Sequence, residues 1–151
     1  MAILKVKIDA KQLEKELGAI AQRSKNLRPA YQAIGNYLVG ETQDRIKRET
    51  SPDGTPFAPL KLSTRKAKER KGKIRKILQQ EGTLVATIAA QVQGDGVAIG
   101  SNLPYASIHQ LGGEAGRNKA VDIPARPYLG LNDDDQEEVT GIVEDWLLLG
   151  Q

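Results

Sequence analysis

The stretch that decides the fold class is residues 84–100, LVATIAAQVQGDGVAIG. Leu84 to Val92 is rich in Val, Ile, Thr and Ala, and Val97 to Gly100 has the same apolar character. Between them, Gln93 to Gly96 is a turn sequence, because its glycines readily adopt positive φ. The pattern predicts an antiparallel β-hairpin.

The residues before this hairpin predict one strand and two helices. Residues 4–8 place Leu4, Val6 and Ile8 in alternation with lysines, which is typical of a half-buried strand. Asp9 is positioned to cap a first helix, and Asn26 to cap a second, longer one. The apolar stripes of this helical hairpin are Leu13, Leu17, Ile20 and Ala21, then Leu27, Tyr31, Ile34, Leu38 and Ile46. The charged residues expected to face water on the second helix are Glu41, Asp44, Arg45 and Lys47.

A turn and a basic segment separate the second helix from the hairpin. Ser51 to Pro56 has two prolines and an Asp-Gly step, so it ends the helix. We expect Phe57, the only phenylalanine, to anchor the following loop on the core. Ser63 is a candidate cap for a short helix. That helix enters residues 61–76, which hold nine Lys and Arg against one Glu and which we expect to be mobile.

The chain after the hairpin predicts two more helices. Tyr105 to Leu111 suits a short helix ended by Gly112, whereas residues 114–121 have no apolar period and predict an exposed, mobile loop. Asn132 is the candidate cap of a C-terminal helix whose first turns are acidic. The apolar stripe of that helix is Val139, Ile142, Val143, Trp146 and Leu147.

Together these elements predict one α+β domain over residues 1–151. Its antiparallel sheet would comprise the N-terminal strand and the hairpin near 84–100, packed by the helical hairpin and the C-terminal amphipathic helix. The formal net charge is only +3, but positive and negative residues are concentrated in different parts of the chain. Residues 132–151 hold seven Asp and Glu and no base, opposite in sign to the basic segment.

Composition narrows the class of protein. The absence of cysteine excludes disulfides and thiolate sites, and it favours a reducing cytoplasm. No apolar run approaches the roughly 18 residues of a membrane span, and no export signal is visible. One histidine and no Cys give no metal set, and the consecutive Asp133, Asp134 and Asp135 point in different directions on a helix. We therefore expect no metal and no cofactor.

The candidate catalytic residues form no complete set. His109 is the only histidine, and Ser107, two residues away, faces away from it on a helix. No nucleophile elbow exists, and Gly94 to Gly96 lacks the third glycine of a dinucleotide fingerprint. A structural or interface role for His109 is favoured over catalysis, so we expect no enzyme. A hydrolase using His109 stays the weakest alternative.

The basic segment supports several interpretations. It suits a solvated face, sequence-nonspecific DNA contact, or an acidic protein partner such as the C-terminal helix of another subunit. No aromatic residues are interleaved for single-strand stacking. The basic residues of this patch are Lys61, Arg65, Lys66, Lys68, Arg70, Lys71, Lys73, Arg75 and Lys76.

Four stretches carry a family resemblance. They are Ser51–Leu60, Gly82–Ile88, Val97–Gly113 and Ile123–Gly130, the last preceding the C-terminal helix. In this order they resemble the phage virion morphogenesis family, also called tail completion proteins, of Mu-like phages. Phe57 stands where the family often has Trp, and Thr87 where Ser is common.

The resemblance implies a non-enzymatic structural protein that completes the tail or head–tail junction of a phage or prophage. Related neck and tail-terminator proteins form rings, often hexamers, through which DNA passes. The implied partners are other copies of the chain and other tail or neck proteins, with no membrane. The implied location is the virion, and the host bacterial cytoplasm during assembly.

Residues in and beside these motifs are the interface candidates. Tyr105 and Tyr128 suit core anchoring as well as an interface, and Arg126 between two prolines is placed to clamp a carboxylate across a subunit boundary. Pro124 and Pro127 also fix a turn. The complete candidate set is Tyr105, His109, Gln110, Arg126, Pro127, Tyr128, Trp146 and Leu148.

Overall fold

The computed structural model describes residues 9–73 and 76–151. In chain order, its helices are α1 (Ala10–Ser24), α2 (Arg28–Arg48), α3 (Leu62–Arg70), α4 (Thr83–Ala86), α5 (Ala106–Leu111) and α6 (Asp133–Leu149). Its strands are β1 (Ala89–Gln93), β2 (Gly96–Gly100), β3 (Gly113–Ala115) and β4 (Val121–Ile123). The predicted α+β class is confirmed. The predicted strand over residues 4–8 lies outside the described residues.

The predicted hairpin is formed by β1 and β2, which pair antiparallel with Val92 opposite Val97. It begins at Ala89 rather than Leu84, because Leu84 belongs to the short helix α4 and is buried in the core. The hairpin packs against α2 at Gly35. A Cβ on Gly35 would lie 2.8 Å from the Cβ of Ala90 and 3.2 Å from Cγ2 of Val97, so the helix and sheet can approach this closely only at a glycine.

Helix α2 is the central element, packed between the β1–β2 hairpin and α6. The predicted stripe residues Ile34, Leu38 and Ile46 are buried. Asn26 accepts a hydrogen bond from the backbone N–H of Arg28 at 3.2 Å. The prediction that Asn26 is the N-cap of α2 was nevertheless wrong, because the N-cap is Leu27, whose apolar side chain makes no capping hydrogen bond.

The hydrophobic core lies at the C-terminal end of α2, where α4, α5 and two loop segments meet it. Its buried residues are Ile46, Phe57, Leu84, Ile88, Ala106 and Tyr128. The predicted anchoring of Phe57 is confirmed, since its side chain is buried and its N–H donates to the Glu49 carbonyl at 2.8 Å. The turn before it is closed by the Ser51 N–H, which donates to the Thr55 carbonyl at 2.8 Å.

Helix α1 lies against α6. As predicted, Asp9 caps it, accepting from the Lys11 and Gln12 N–H groups at 3.1 and 3.3 Å. The apolar face of α1 is not covered within the described chain, where Leu13 is 47% and Leu17 56% exposed. Its C-terminal end is tied to α6 instead, since Arg23 donates to the carbonyls of Leu147 and Leu148 at 2.8 Å each.

Two further local predictions were wrong. Helix α3 begins at Leu62 with Lys61 as its cap, so Ser63 lies inside the first turn. Residues 114–121 do not form a simple loop, because β3 and β4 pair antiparallel with Glu114 opposite Asp122, joined by a 3-10 turn. Residues 62–70 of the basic segment are helical. The mobility of both segments stays a prediction.

Candidate functional site

The short helix α5 and the segment 123–130 are joined through one amide side chain. The Oε1 atom of Gln110 accepts from the Tyr128 and Leu129 N–H groups at 3.0 Å each, and its Nε2 donates to the Leu129 carbonyl at 3.0 Å. The Arg126 N–H also donates to the His109 carbonyl at 2.8 Å. The two stretches that dominate the resemblance therefore form one continuous unit.

Tyr128 is a core residue in this unit. Its side chain is 1% exposed, and its hydroxyl donates to the Ala106 carbonyl at 2.9 Å. Burial raises the pKa of this hydroxyl above its usual range. Of the two roles predicted for Tyr128, the structure gives it the core role, and its side chain offers no surface to a partner.

Arg126 makes intramolecular contacts, and its predicted role as a clamp on a carboxylate of another subunit stays a prediction. Its side chain is 6% exposed, and its Nε and Nη2 atoms donate to the carbonyls of Ala58 and Pro59 at 2.7 and 3.2 Å. Burial lowers the pKa of the guanidinium, although it stays protonated. Arg126 thus ties the segment 51–60 to the segment 123–130, and it does not project from the surface.

His109 lies half-buried beside Tyr105, with the two ring centroids 5.9 Å apart in an edge-to-face contact. Its Nδ1 atom is buried and has no hydrogen-bond partner within the described residues. Burial, and then the charge of Arg126, lower the pKa of the imidazole below 6.5. Both effects favour the neutral imidazole. A buried Nδ1 without a hydrogen-bond partner is less costly as a lone pair than as an N–H.

A cleft of about 520 Å³ opens between α3, α5 and β4, and it contains this histidine. Lys68 and Arg126 are its buried bases, and Lys61 lies exposed beside them. We call this the cationic cleft, defined by Lys61, Lys68, His109 and Arg126. In the sequence, Lys68 looks like one more residue of the basic segment. In the structure its Nζ points inward and donates to the Lys76 carbonyl at 2.9 Å.

The cations of the cleft affect one another. Burial lowers the pKa of Lys68, the charge of Glu49 opposes this, and the charge of Arg126 lowers it further. Most other members of the basic segment are exposed, namely Arg65, Lys66, Arg70, Lys71 and Lys76. Lys73 pairs with Glu81, and Arg75 lies outside the described residues.

A second polar cluster joins α2 to α6, and the sequence analysis missed it. Arg45, predicted to face water, is 2% exposed, and Asp135, assigned to the acidic surface, is 1% exposed. The two form a buried ion pair, while Arg45 Nη1 donates to the Gly130 carbonyl at 2.7 Å. Tyr37 donates its hydroxyl to Asp135 at 3.0 Å, and burial together with this bond raises the pKa of Tyr37 to about 12.

The cap of α6 completes the cluster. The Asn132 side chain accepts from the Asp135 N–H, and Asp135 accepts from the Asn132 N–H, each at 2.8 Å. Burial alone would raise the pKa of Asp135, but hydrogen bonds from Asn132, Arg45 and Tyr37 outweigh it and lower the pKa. The Asn-x-x-Asp spacing of a capping box was the one sequence signal for this role.

The remaining candidates are at the surface or at the α1–α6 contact. Trp146 is half-buried and donates its Nε1 hydrogen to the Asn26 carbonyl at 3.0 Å. Leu148 is 60% exposed, and Tyr105 is 42% exposed. Pro127 is exposed as well. A single chain does not test contact with a second subunit, so the interface role of these residues stays a prediction.

This geometry holds segments of the chain together around a cleft. Within residues 9–73 and 76–151, no cluster of three His, Asp or Glu side chains is arranged to hold a metal ion. In the same ranges, no helix is long and apolar enough to cross a membrane. The contacts of Gln110, Arg126 and Tyr128 are structural, and they shape the surface around them.

The segments joined in this way are those of the recognised motifs, and residues 8–148 match the model of the phage virion morphogenesis family. The chain belongs to this family. It is 29% identical to Mu-like prophage FluMu G protein 2 of Haemophilus influenzae over 93% of each chain. It is also 29% identical to tail completion protein S of Escherichia phage P2, over 73% of this chain and 77% of that protein.

A further relative is the putative capsid assembly protein G of Escherichia phage Mu, 26% identical over 90% of this chain and 88% of that protein. No solved structure matches the chain significantly. The predicted family is therefore confirmed, and two of these relatives are named for tail completion or capsid assembly.

Proposed function

We propose that this chain is a non-enzymatic structural protein that completes the tail or the head–tail junction of a phage or prophage. The observation that carries the proposal is the family match over residues 8–148, together with relatives named for tail completion and capsid assembly. The protein acts in the virion, and it is made in the cytoplasm of the bacterial host.

The contacts of the motif residues support a scaffold role. Gln110 and Arg126 bind backbone atoms of the chain's own segments, which fixes a shape. His109 has no serine or carboxylate hydrogen-bonded to it within the described residues, although a catalytic relay needs both. Chemistry of that kind therefore has no support, and a structural role in the virion is what we propose instead.

We further propose that the protein assembles into a ring with copies of itself. The exposed bases of α3 and the exposed acids of α6 lie on different elements of the subunit. Contact between unlike surfaces of neighbouring copies is heterologous, and it closes into a ring when the rotation between copies allows. A hexamer is one such closed arrangement.

Two measurements test the proposal. A phage whose own tail completion gene is deleted would be supplied with this chain or with an empty vector, and infectious particles counted. Restored titre supports the tail or junction role, and particles that stay defective while the protein is well expressed contradict it. Light scattering across protein concentrations at two salt levels tests the ring, since a discrete multiple of 16.4 kDa is expected.

DNA contact is the alternative function, and exposed cations on α3 favour it. Lys66 and Arg70 lie one helical turn apart and are both exposed. Nonspecific binding through such residues weakens steeply as salt rises. Replacement of Lys66, Arg70 and Lys71 by Ala would abolish it, whereas unchanged binding in that variant would exclude this segment.

A further inference from the structure

In the lining of the cationic cleft, Lys61, Lys68 and Arg126 outnumber the two acids, Glu81 and Asp122, and Glu81 is already paired with Lys73. Lys68 and Arg126 lie close enough for the charge of one to affect the other, and Arg126 also acts on His109. The charge of Glu49 acts on Lys68. Among the described residues Arg126 has only backbone carbonyls as partners. Because burying charge without a counterion is costly, this arrangement favours an anion from outside.

The remaining lining of the cleft indicates which kind of anion fits. Leu60, Leu78 and Ile123 line it with apolar surface, while Glu81 and Asp122 are the exposed acids at its edge. This apolar surface offers no favourable contact to the closely spaced phosphates of a nucleic acid, which bind mainly through cations. Apolar lining around buried cations suits a protein segment that carries both carboxylates and aliphatic side chains.

The chain itself carries such a segment at the end of α6. Leu148 and Leu149 are 60% and 61% exposed, and both acids of the preceding turn, Glu144 and Asp145, are exposed. The spacings i, i+3 and i, i+4 bring Leu148 beside both acids on the helix surface. We call these four residues the acid–leucine face.

We propose that the cationic cleft of one subunit receives the acid–leucine face of a second copy of this chain. The carboxylates face Lys68 and Arg126, and the leucines cover the apolar lining. Since the cleft and the acid–leucine face are different surfaces, the contact is heterologous and can propagate around a ring. This inference rests on the proposed self-association and names the surfaces that form it.

The first variant reverses the acids without touching the core. The double variant Glu144→Lys/Asp145→Lys changes exposed residues only. Its matched control is Glu137→Lys/Glu138→Lys, which makes the same charge change at exposed positions of the same helix. Sedimentation velocity should show self-association at least about tenfold weaker in the first pair. The control should stay within about twofold of the wild type, and circular dichroism checks that both fold.

A second variant provides a rescue. Lys61→Glu with Thr64→Glu places acids at the exposed edge of the cleft, and it should also self-associate at least about tenfold more weakly. An equimolar mixture of this variant with Glu144→Lys/Asp145→Lys pairs opposite charges again. The mixture should form mixed assemblies with recovered mass, which a merely misfolded variant would not do.

The single histidine provides a local readout. His109 is the only imidazole in the chain, so its ring resonances report on the cleft without ambiguity. They should shift with protein concentration in the wild type and the control, but not in Glu144→Lys/Asp145→Lys. Inorganic phosphate and a duplex DNA are added to separate samples. A shift caused by DNA at concentrations where the protein stays monomeric would overturn the proposal in favour of nucleic acid.

Two further results would overturn it and leave other conclusions in place. If both lysine pairs associate like the wild type, the ring uses other surfaces, although the ring itself stands. If the wild type is monomeric at every concentration and salt level, both the ring and this contact are wrong. The tail or junction role is judged separately, by the restored phage titre.

Discussion

Asp135→Asn should destabilise the fold more than any other single loss of charge on α6. Asp135 and Arg45 are 1% and 2% exposed, and the carboxylate also accepts from Tyr37 and from the Asn132 N–H. The amide cannot balance the Arg45 charge, which stays buried. Breaking a buried pair in this way costs about 3–5 kcal/mol, or a fall of about 10 °C in the unfolding midpoint for a chain of this length.

Urea unfolding followed by circular dichroism measures this change, and Asp134→Asn is the matched control. Asp134 is exposed in the same first turn, so its loss removes only a dipole interaction of up to about 1 kcal/mol. Replacing both partners, as Arg45→Met with Asp135→Leu, should recover much of the loss, because no charge is then stranded. A cost below about 1 kcal/mol for Asp135→Asn would refute the argument that this pair is buried and interdependent.

The same pair predicts an acid-dependent loss of stability. The folded-state pKa of Asp135 is lowered from 3.8, so folding favours the ionised carboxylate. Its contribution is fully present above the unfolded value, and it is lost as pH falls through the lower folded-state pKa. Unfolding free energies measured between about pH 5 and pH 2.5 should fall more steeply for the wild type than for Asp135→Asn.

Three further outcomes are expected. Gly35→Ala should lower the unfolding free energy by about 1–3 kcal/mol in urea titrations, because its Cβ would lie 2.8 Å from that of Ala90; an increase would show that the sheet yields easily. Gln110→Leu should cost about 2–3 kcal/mol, since it strands two backbone N–H groups, and exposed Gln91→Leu, expected near zero, is its control. The lowered pKa of His109 means that protonation favours unfolding, so the unfolding free energy should fall as pH drops below about 6.5. His109→Gln should make the unfolding free energy less dependent on pH between about pH 7 and 5. An unchanged dependence would contradict the lowered pKa of this histidine.

Local rules were sufficient for the features that depend on neighbours in sequence. Asp9 caps α1, Asn132 caps α6, and Gly112 ends α5, each through contacts within a few residues. The hairpin turn at Gly94 is of the same kind, with φ of 56°. Such interactions are encoded by residue type and spacing alone, which is why α1, α2, α3, the β1–β2 hairpin, α5 and α6 were predicted in the right order. The short helix α4 and the β3–β4 pair were not predicted.

The buried polar residues escaped prediction because their partners are distant in sequence. Arg45 and Asp135 are 90 positions apart, and each looked like one charge among several on a solvated helix face. Lys68 had eight other bases around it in the basic segment, and nothing in that run distinguishes the one that turns inward. Helical periodicity identifies which residues share a face, but it does not say what that face contacts.

For the same reason, the sequence did not reveal what the apolar face of α1 contacts. Its stripe of Leu13 and Leu17 has the spacing of a core-facing helix, yet no residue of α1 is buried in the described chain. Arg23 and Trp146 hold the C-terminal end of the helix against α6, and the first turns stay exposed among the residues that the structure describes. Amphipathic spacing therefore predicted the helix correctly, but it could not say what the apolar face contacts.

The placement of the motif residues also determines how assembly should be tested. Arg126, Gln110 and Tyr128 stabilise the subunit through internal contacts, so replacing them would lower stability and assembly together. A defect in such a variant would not show where subunits meet. Exposed residues at the cleft edge and on the acid–leucine face separate the two effects, because their replacement changes surface charge and leaves the core packed. Charge reversal with rescue at those positions is accordingly the direct test of the proposed contact between copies of this chain.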